Sequence, residues 1–149
     1  HLFSLIEEDK YFTAGTERLI VEYEGWKICP MICYDLRFPV FARNDVDYDL
    51  LLFVANWPNT RIAAWDALLK ARAIENQAYV IGLNRVGVDG FNAEYPGHSQ
   101  VLDPEGDCIS MAPEYEVGLV EVTLSKNHLM ACRKRHPFLS DRDTFRITD

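Results

Sequence analysis

"YDLLLFVANWPNTRIAAWDALLKARAIENQAYVIGLNRVG", residues 48–87, decides the fold. It opens on "YDLLLFVAN", a near-continuous apolar run of the kind a strand covered on both faces requires. "WPNT" breaks the run, and Asn59 or Thr60 is suited to cap the element that follows. In "RIAAWDALLKARAIENQ", Ile62, Trp65, Leu69 and Ala73 fall on one stripe at helical spacing. "AYVIGLNRVG" then reads as a second buried strand. Strand, helix and strand in this order predict a crossover unit in a layered α+β protein with a mixed sheet.

Upstream, "ERLIVEYEGWKICPMIC" reads as two strands around a tight turn at Glu24-Gly25. In the second strand Trp26, Ile28, Pro30 and Ile32 share one face, and Lys27, Cys29, Met31 and Cys33 the other. Pro30 has no N–H to give a ladder, which predicts an edge or an irregularity there. "FPVFARN" reads as a short helix with Pro39 in its first turn. Downstream, "DGFNAEYPGHS" reads as a loop, and "SQVLDPEGDCISMA" as a hairpin turning at Asp103-Pro104-Glu105-Gly106. "EVGLVEVTLS" alternates as a late strand, and the tail "RKRHPFLSDRDTFRITD" has little regular pattern. In that tail, Arg133, Lys134, Arg135 and His136 read as a solvated cluster.

The 149 residues suffice for one core, and 48% hydrophobic with 26% charged residues is an ordinary globular composition. A net charge of -8 argues against nucleic acid and anionic membranes as partners. No stretch approaches the roughly 20 apolar residues of a membrane-spanning helix, and no signal peptide is visible. The first residues, "HLFSLI", read as the middle of an element, so a piece of a longer protein is expected. Of the four cysteines, Cys29 and Cys33 would lie roughly 13 Å apart on an extended strand, beyond the reach of about 7 Å between Cα atoms that a disulfide allows. Reduced thiols and a cytoplasmic location are expected. No His/Cys/Asp grouping has metal-ligand spacing, no glycine-rich phosphate loop is present, and no cofactor is expected.

"CPMICYDLRFP", residues 29–39, carries the chemistry. A cysteine that ends a strand and turns sharply into a helix stands at the rim of the sheet, with backbone N–H groups aimed at whatever it attacks. Such a thiol can attack a carbonyl or nitrile carbon if a base or cation makes it a thiolate. By pattern alone Cys33 fits either this role or that of a small core thiol.

"CYDLRFP" resembles the nucleophile motif of the carbon–nitrogen hydrolases, the nitrilase superfamily. "HLF" (1–3), "YFTAG" (11–15), "ANWP" (55–58), "WDALLKARAIENQAYVIGLNRVG" (65–87) and "YPGHSQVLDPEGD" (95–107) resemble further segments of that family, in family order. The ω-amidase branch, which hydrolyses the terminal amide of α-keto acid amides such as 2-oxoglutaramate, is the most similar. The resemblance implies a four-layer α-β-β-α sandwich, of which residues 1–149 would be the C-terminal portion of a single domain, and a homodimer. It also implies amide hydrolysis through a cysteine thioester, with a small-molecule amide as partner. Other amidase or carbamoylase branches, or a non-catalytic remnant, are the alternatives.

The family's triad is Glu, Lys and Cys. The resemblance maps the cysteine onto Cys33, and an orienting glutamate onto Glu8, with Glu7 the alternate. It puts an oxyanion donor at the backbone N–H of Tyr34. The lysine belongs to a Lys-x-His-Leu-Phe motif, so it would precede His1, and the base glutamate would lie further upstream. This chain by itself is therefore expected to be inactive.

Asn56 and Trp57 follow a strand's C-terminal end, where open α/β sheets hold ligands, and are candidate substrate-binding residues. Their bland reading is a turn residue and a core aromatic. Arg61 could bind a substrate carboxylate or sit on a helix surface. Asp35 and Arg37 read as supports of the turn after Cys33, through hydrogen bonds and an ion pair. Arg72, Glu75 and Asn76 read as an internal polar network or a solvated face, and His98 as a loop residue.

Overall fold

A computed structural model describes residues 1–147. The last two residues of the tail lie outside the described ones. Six strands form one mixed sheet in the order β1-β2-β3-β4-β7-β8. These are β1 (Val21–Tyr23), β2 (Trp26–Ile32), β3 (Leu50–Ala55), β4 (Tyr79–Asn84), β7 (Gln100–Leu102) and β8 (Cys108–Met111). β2, β3 and β4 run parallel, while the outer pairings are antiparallel. The crossover from β3 to β4 is α1 (Ile62–Asn76), as the strand-helix-strand reading predicts. A separate hairpin pairs β5 (Val86–Val88) with β6 (Glu94–Pro96), and α2 (Lys126–Arg135) is followed by a 3-10 turn at Phe138–Asp141.

The alternation in β2 sorts the two faces of the sheet. Cys29 and Met31 join Leu51, Phe53 and Val80 against Trp65, Leu69 and Ala73 of α1, all of them buried. Gly82 permits that close approach: a Cβ there would lie 2.5 Å from Leu69 and 2.7 Å from Trp65. On the other face Leu50 and Tyr79 are covered by Leu129 of α2. Further along the same face Ile32, Val54 and Leu83 stand side by side in register, 67%, 45% and 48% exposed. Leu51 and Val54 thus show the two fates of a continuous apolar run, one face packed by this chain and part of the other open.

The edge expected at Pro30 is found locally: it pairs with Leu52 on β3, while the β1 ladder ends at Ile28, and among the described residues no strand lies on its other side. Other local expectations are corrected. The helix expected at "FPVFARN" is only a turn, because a 3-10 helix at Cys33–Arg37 forms directly after β2. Neither Asn59 nor Thr60 caps α1 with its side chain; both lie in a 3-10 turn that leads into it. The loop read at "DGFNAEYPGHS" contains β6, whose hairpin is closed by Asp89 accepting from the N–H groups of Phe91 and Ala93. The late strand at "EVGLVEVTLS" has no ladder partner among the described residues, and Val117 and Leu119 are 92% and 86% exposed. Alternation had only identified a segment fit to pair.

In the basic cluster Lys134, Arg135 and His136 are exposed as expected, and Arg133 is the correction, being only partly exposed. It lies on α2, donates to the backbone oxygens of Gln77 (2.9 Å) and Tyr48 (2.6 Å), and reaches buried Asp49 at 3.4 Å. Lys126 from the first turn of α2 binds the other oxygen of Asp49, which also accepts the N–H of Lys27 at 2.9 Å. Asp49, just before β3, is therefore the anchor of α2.

Candidate active site

Cys33 directly follows β2 and begins the 3-10 helix with φ of 38°, a conformation costing a non-glycine residue roughly 1–2 kcal/mol. Asp35 and Arg72 hold this bend. The buried Asp35 carboxylate accepts the N–H of Ile32 at 3.0 Å, tying the turn back to the strand, and the His1 ring nitrogen lies 2.9 Å from its other oxygen. Arg72, buried on α1, donates to the Leu36 carbonyl at 2.6 Å and pairs with Glu75 at 2.9 Å. Of the two readings open for Arg72, Glu75 and Asn76, the internal network is the one formed. Fully buried Asn76 accepts from the Asn44 N–H, and its carbonyl accepts from the Asn44 side chain.

Around the thiol, the Asn56 backbone N–H at the strand-end loop, Glu8, Asp35 and Arg61 are close enough to act on it electrostatically. Burial pushes the Cys33 thiol above its ordinary value and outweighs the Asn56 N–H and the Arg61 cation, which favour the thiolate; Glu8 and Asp35 add to the rise. Cys29, deeper on the same strand, is pushed up to about 11 by burial. All four cysteines are free.

Glu8 and Glu7 separate cleanly. Glu7 has φ of 59° and pairs with Lys10 on the surface, whereas Glu8 is half-buried and accepts the Phe3 N–H at 2.7 Å. Phe3 in turn stacks on Tyr34 at 4.6 Å, so the first residues of the chain pack against the bend. The Arg61 guanidinium lies 5.8 Å over the Phe3 ring.

The loop at Asn56-Trp57 is locked by Asn84, at the end of β4. Its side chain accepts the Trp57 N–H at 2.7 Å and donates to the carbonyls of Trp57 and Gly97. The Trp57 side chain is 3% exposed, donates to the Arg61 carbonyl at 2.8 Å and packs on Trp65. Asn56 is exposed. Arg37 does not pair with Asp35; its guanidinium lies 4.8 Å over the Trp57 ring. His98 is placed apart, between Asp66 (3.0 Å) and Glu114 (3.0 Å).

Sequence reasoning missed the bracing by Arg72 and Asn84. An arginine in an otherwise apolar helix stripe and an asparagine closing a buried strand were the available signals. Two further features lie away from Cys33. A cavity of about 510 Å³ opens on the exposed sheet face, lined by Val54, Leu83, Val117 and Leu119 but not by Cys33, Glu8 or Asn56. Glu105, His128 and Cys132, which showed no metal-ligand spacing in sequence, come together with their ligand atoms within 4.8 Å of one another.

Residues 1–134 match the carbon–nitrogen hydrolase family. The chain is 50% identical over 147 residues to the omega-amidase YafV of Escherichia coli, covering 99% of this chain and 57% of that protein. It is 36% identical over 143 residues to a 2-oxoglutaramate amidase of Bacillus subtilis, covering 95% and 54%. A solved structure of a carbon–nitrogen hydrolase superfamily protein from Xanthomonas campestris, with an arsenic adduct in its active site, superposes with a TM-score of 0.96 at 47% identity. That match covers 99% of this chain and 58% of the other. The chain thus spans little more than half the length of these relatives.

Proposed function

This chain belongs to the carbon–nitrogen hydrolase family, and on that premise we propose that the complete protein is an ω-amidase of α-keto acid amides such as 2-oxoglutaramate. Residues 1–149 form the C-terminal portion of its domain. The observation that carries the reading is the braced bend at Cys33. A thiol in a positive-φ bend follows a parallel strand directly, with the Asn56 N–H, Glu8 and Arg61 within electrostatic reach.

The thiolate of Cys33 attacks the amide carbon. The carbonyl oxygen becomes an oxyanion that accepts the N–H of Tyr34, at the start of a helical turn whose first N–H groups have no partner within the turn. The C–N bond breaks, ammonia leaves with the proton taken from the thiol, and a thioester remains. Water then attacks the thioester, releasing the dicarboxylate and returning the proton to sulfur. Glu8, held by the Phe3 N–H, orients the groups that move this proton. Asn56 positions the thiol, and Trp57 shapes the floor of the substrate site. Arg61 is suited to the substrate's distal carboxylate.

Burial pushes the Cys33 thiol up, and forming the attacking thiolate calls for a base and a cation. The resemblance puts them in a glutamate and a lysine preceding His1. The 149-residue stretch assayed alone is expected to show no turnover. The exposed row Ile32-Val54-Leu83 is the surface a second sheet would cover to complete the four-layer sandwich. The complete protein is further proposed to be a homodimer, checked by sedimentation velocity. Its four free cysteines favour a reducing, cytoplasmic compartment, although the structure itself establishes only that no described helix is long and apolar enough to cross a membrane.

The test is an assay of the complete protein against 2-oxoglutaramate, simple aliphatic amides and nitriles. Preference for 2-oxoglutaramate by at least about tenfold in kcat/KM supports the reading. Preference for an aliphatic amide moves the protein to another branch, and no turnover of any of them selects a non-catalytic role.

A further inference from the structure

At the end of the sheet opposite Cys33, α2 lies against the β7–β8 turn. His128 and Cys132 are one helical turn apart on α2, so they share a face. The His128 Nε2 lies 3.5 Å from the Cys132 sulfur and 3.4 Å from Oδ2 of Asp103. Glu105, two residues further along the turn, brings its carboxylate within 4.8 Å of both His128 and Cys132. Zinc bonds of about 2.3 Å to sulfur and 2.0–2.2 Å to nitrogen and oxygen, at tetrahedral angles, separate S and N donors by about 3.6 Å and N and O donors by about 3.4 Å. The two separations measured from His128 Nε2 match those edges, and the Glu105 carboxylate is within 4.8 Å of both other donors. We propose that Cys132, His128 and Glu105 hold a zinc ion that staples α2 to the β7–β8 turn, with Asp103 beside His128.

The donor set is the argument for zinc over a hard cation, since a thiolate and an imidazole select borderline metals while magnesium and calcium require oxygen cages. The turn is already rigid. Oδ1 of Asp103 accepts the N–H groups of Glu105 (2.9 Å) and Asp107 (3.0 Å), leaving Oδ2 for His128. Arg135 holds one Glu105 oxygen at 3.1 Å and so orients that carboxylate. Entry from solvent is open, with the His128 and Glu105 side chains 39% and 42% exposed. Cys132 is 2% exposed and its thiol is pushed up by burial and by Glu105, so the metal must displace its proton to solvent on binding. A metal here would act on the fold, since β3 alone separates the two ends by roughly 16 Å.

The test titrates the full chain with cobalt(II) alone and zinc alone. Expected are one equivalent of cobalt with a thiolate charge-transfer band in the near ultraviolet, displaced by zinc, and a melting temperature raised by about 5 °C or more at zinc 100-fold above its Kd. Glu105→Gln should weaken binding about tenfold or more while keeping the band. Cys132→Ser should abolish the band. Because that variant removes a buried group, alkylation mapping of the unaltered chain gives the same reading, with zinc selectively protecting Cys132. Absence of the band, a band that survives Cys132→Ser, protection of another cysteine instead, or equal stabilisation by magnesium would each overturn the site.

Discussion

The two ends of the parallel strands treat charge in opposite ways. At the N-terminal end, Asp49 is buried and fully answered, by the Lys27 N–H, Lys126 and Arg133. At the C-terminal end, Cys33 sits in a positive-φ bend, with its thiol raised by burial and only the Asn56 N–H and the Arg61 cation favouring its anion. Complete pairing is what a fold uses to hold a helix in place. An unanswered, strained group held by braces is what a reaction uses, because its stabilisation is reserved for substrate. Substitutions should therefore divide into those that cost activity at one end and those that cost stability at the other.

The largest effect expected is at Cys33. Cys33→Ala in the complete protein should lower kcat by about 10³-fold or more while urea unfolding shifts by under about 1 kcal/mol. Near-normal turnover would return Cys33 to the status of a core thiol and erase the contrast. The mirror-image variant is Asp49→Ala. It leaves the Arg133 guanidinium against Tyr48 and Gln77 without its carboxylate, and should cost about 3 kcal/mol of stability, with kcat in the complete protein changing less than about threefold. A large loss of kcat at unchanged stability would show the two ends to be coupled.

Between these lies Glu8→Gln. The amide keeps the size of the side chain and an acceptor for the Phe3 N–H but removes the charge beside Cys33. A fall in kcat of about 10- to 100-fold with KM within about threefold is expected of a group that orients proton transfer. An unchanged kcat would leave Glu8 as a mere clasp for the first turn. Glu7→Gln, whose parent residue faces solvent with Lys10, should do nothing measurable to kcat and is the control.

How far the sequence went depends on what each element needed. The crossover β3-α1-β4 was legible because burial on a stripe or a run is written in consecutive residues. Trp65, Leu69 and Ala73 lie at helical spacing and are all fully buried. The bend at Cys33 was legible as a strand end followed by polar residues, and the resemblance pointed to Glu8 although periodicity could not. The resemblance left Glu7 as the alternate, and in the fold the two part, Glu7 pairing with Lys10 on the surface and Glu8 accepting the Phe3 N–H. The strand expected at 116–125 failed for the opposite reason: alternation specifies a surface that can pair, while pairing needs a partner edge. Arg133 misread as solvated shows the same limit. A basic run next to a proline reads as surface until the distant Asp49, 84 residues earlier, is brought under it.

The smallest effect expected is also a test of how local the N-terminal end is. Arg142 pairs with Asp47 at 2.8 Å, two residues before Asp49 but on the surface, with Asp47 63% exposed. The Arg142 guanidinium, with help from Arg133 and Lys27, holds the Asp47 carboxyl below its ordinary value near 3.8. The folded state then binds this proton more weakly than the unfolded state. The pair therefore contributes its stability above pH about 4, and loses it as the pH falls through the lowered value. Solvent screening limits the contribution to a few tenths of a kcal/mol. Arg142→Ala should accordingly be slightly less stable than the unaltered chain at pH 7, with the gap shrinking in 0.5 M salt and closing near pH 2. If the gap instead persists at pH 2, Arg142 acts through packing of its aliphatic stem rather than through Asp47. The charge network of this end would then stop at the buried anchor, Asp49.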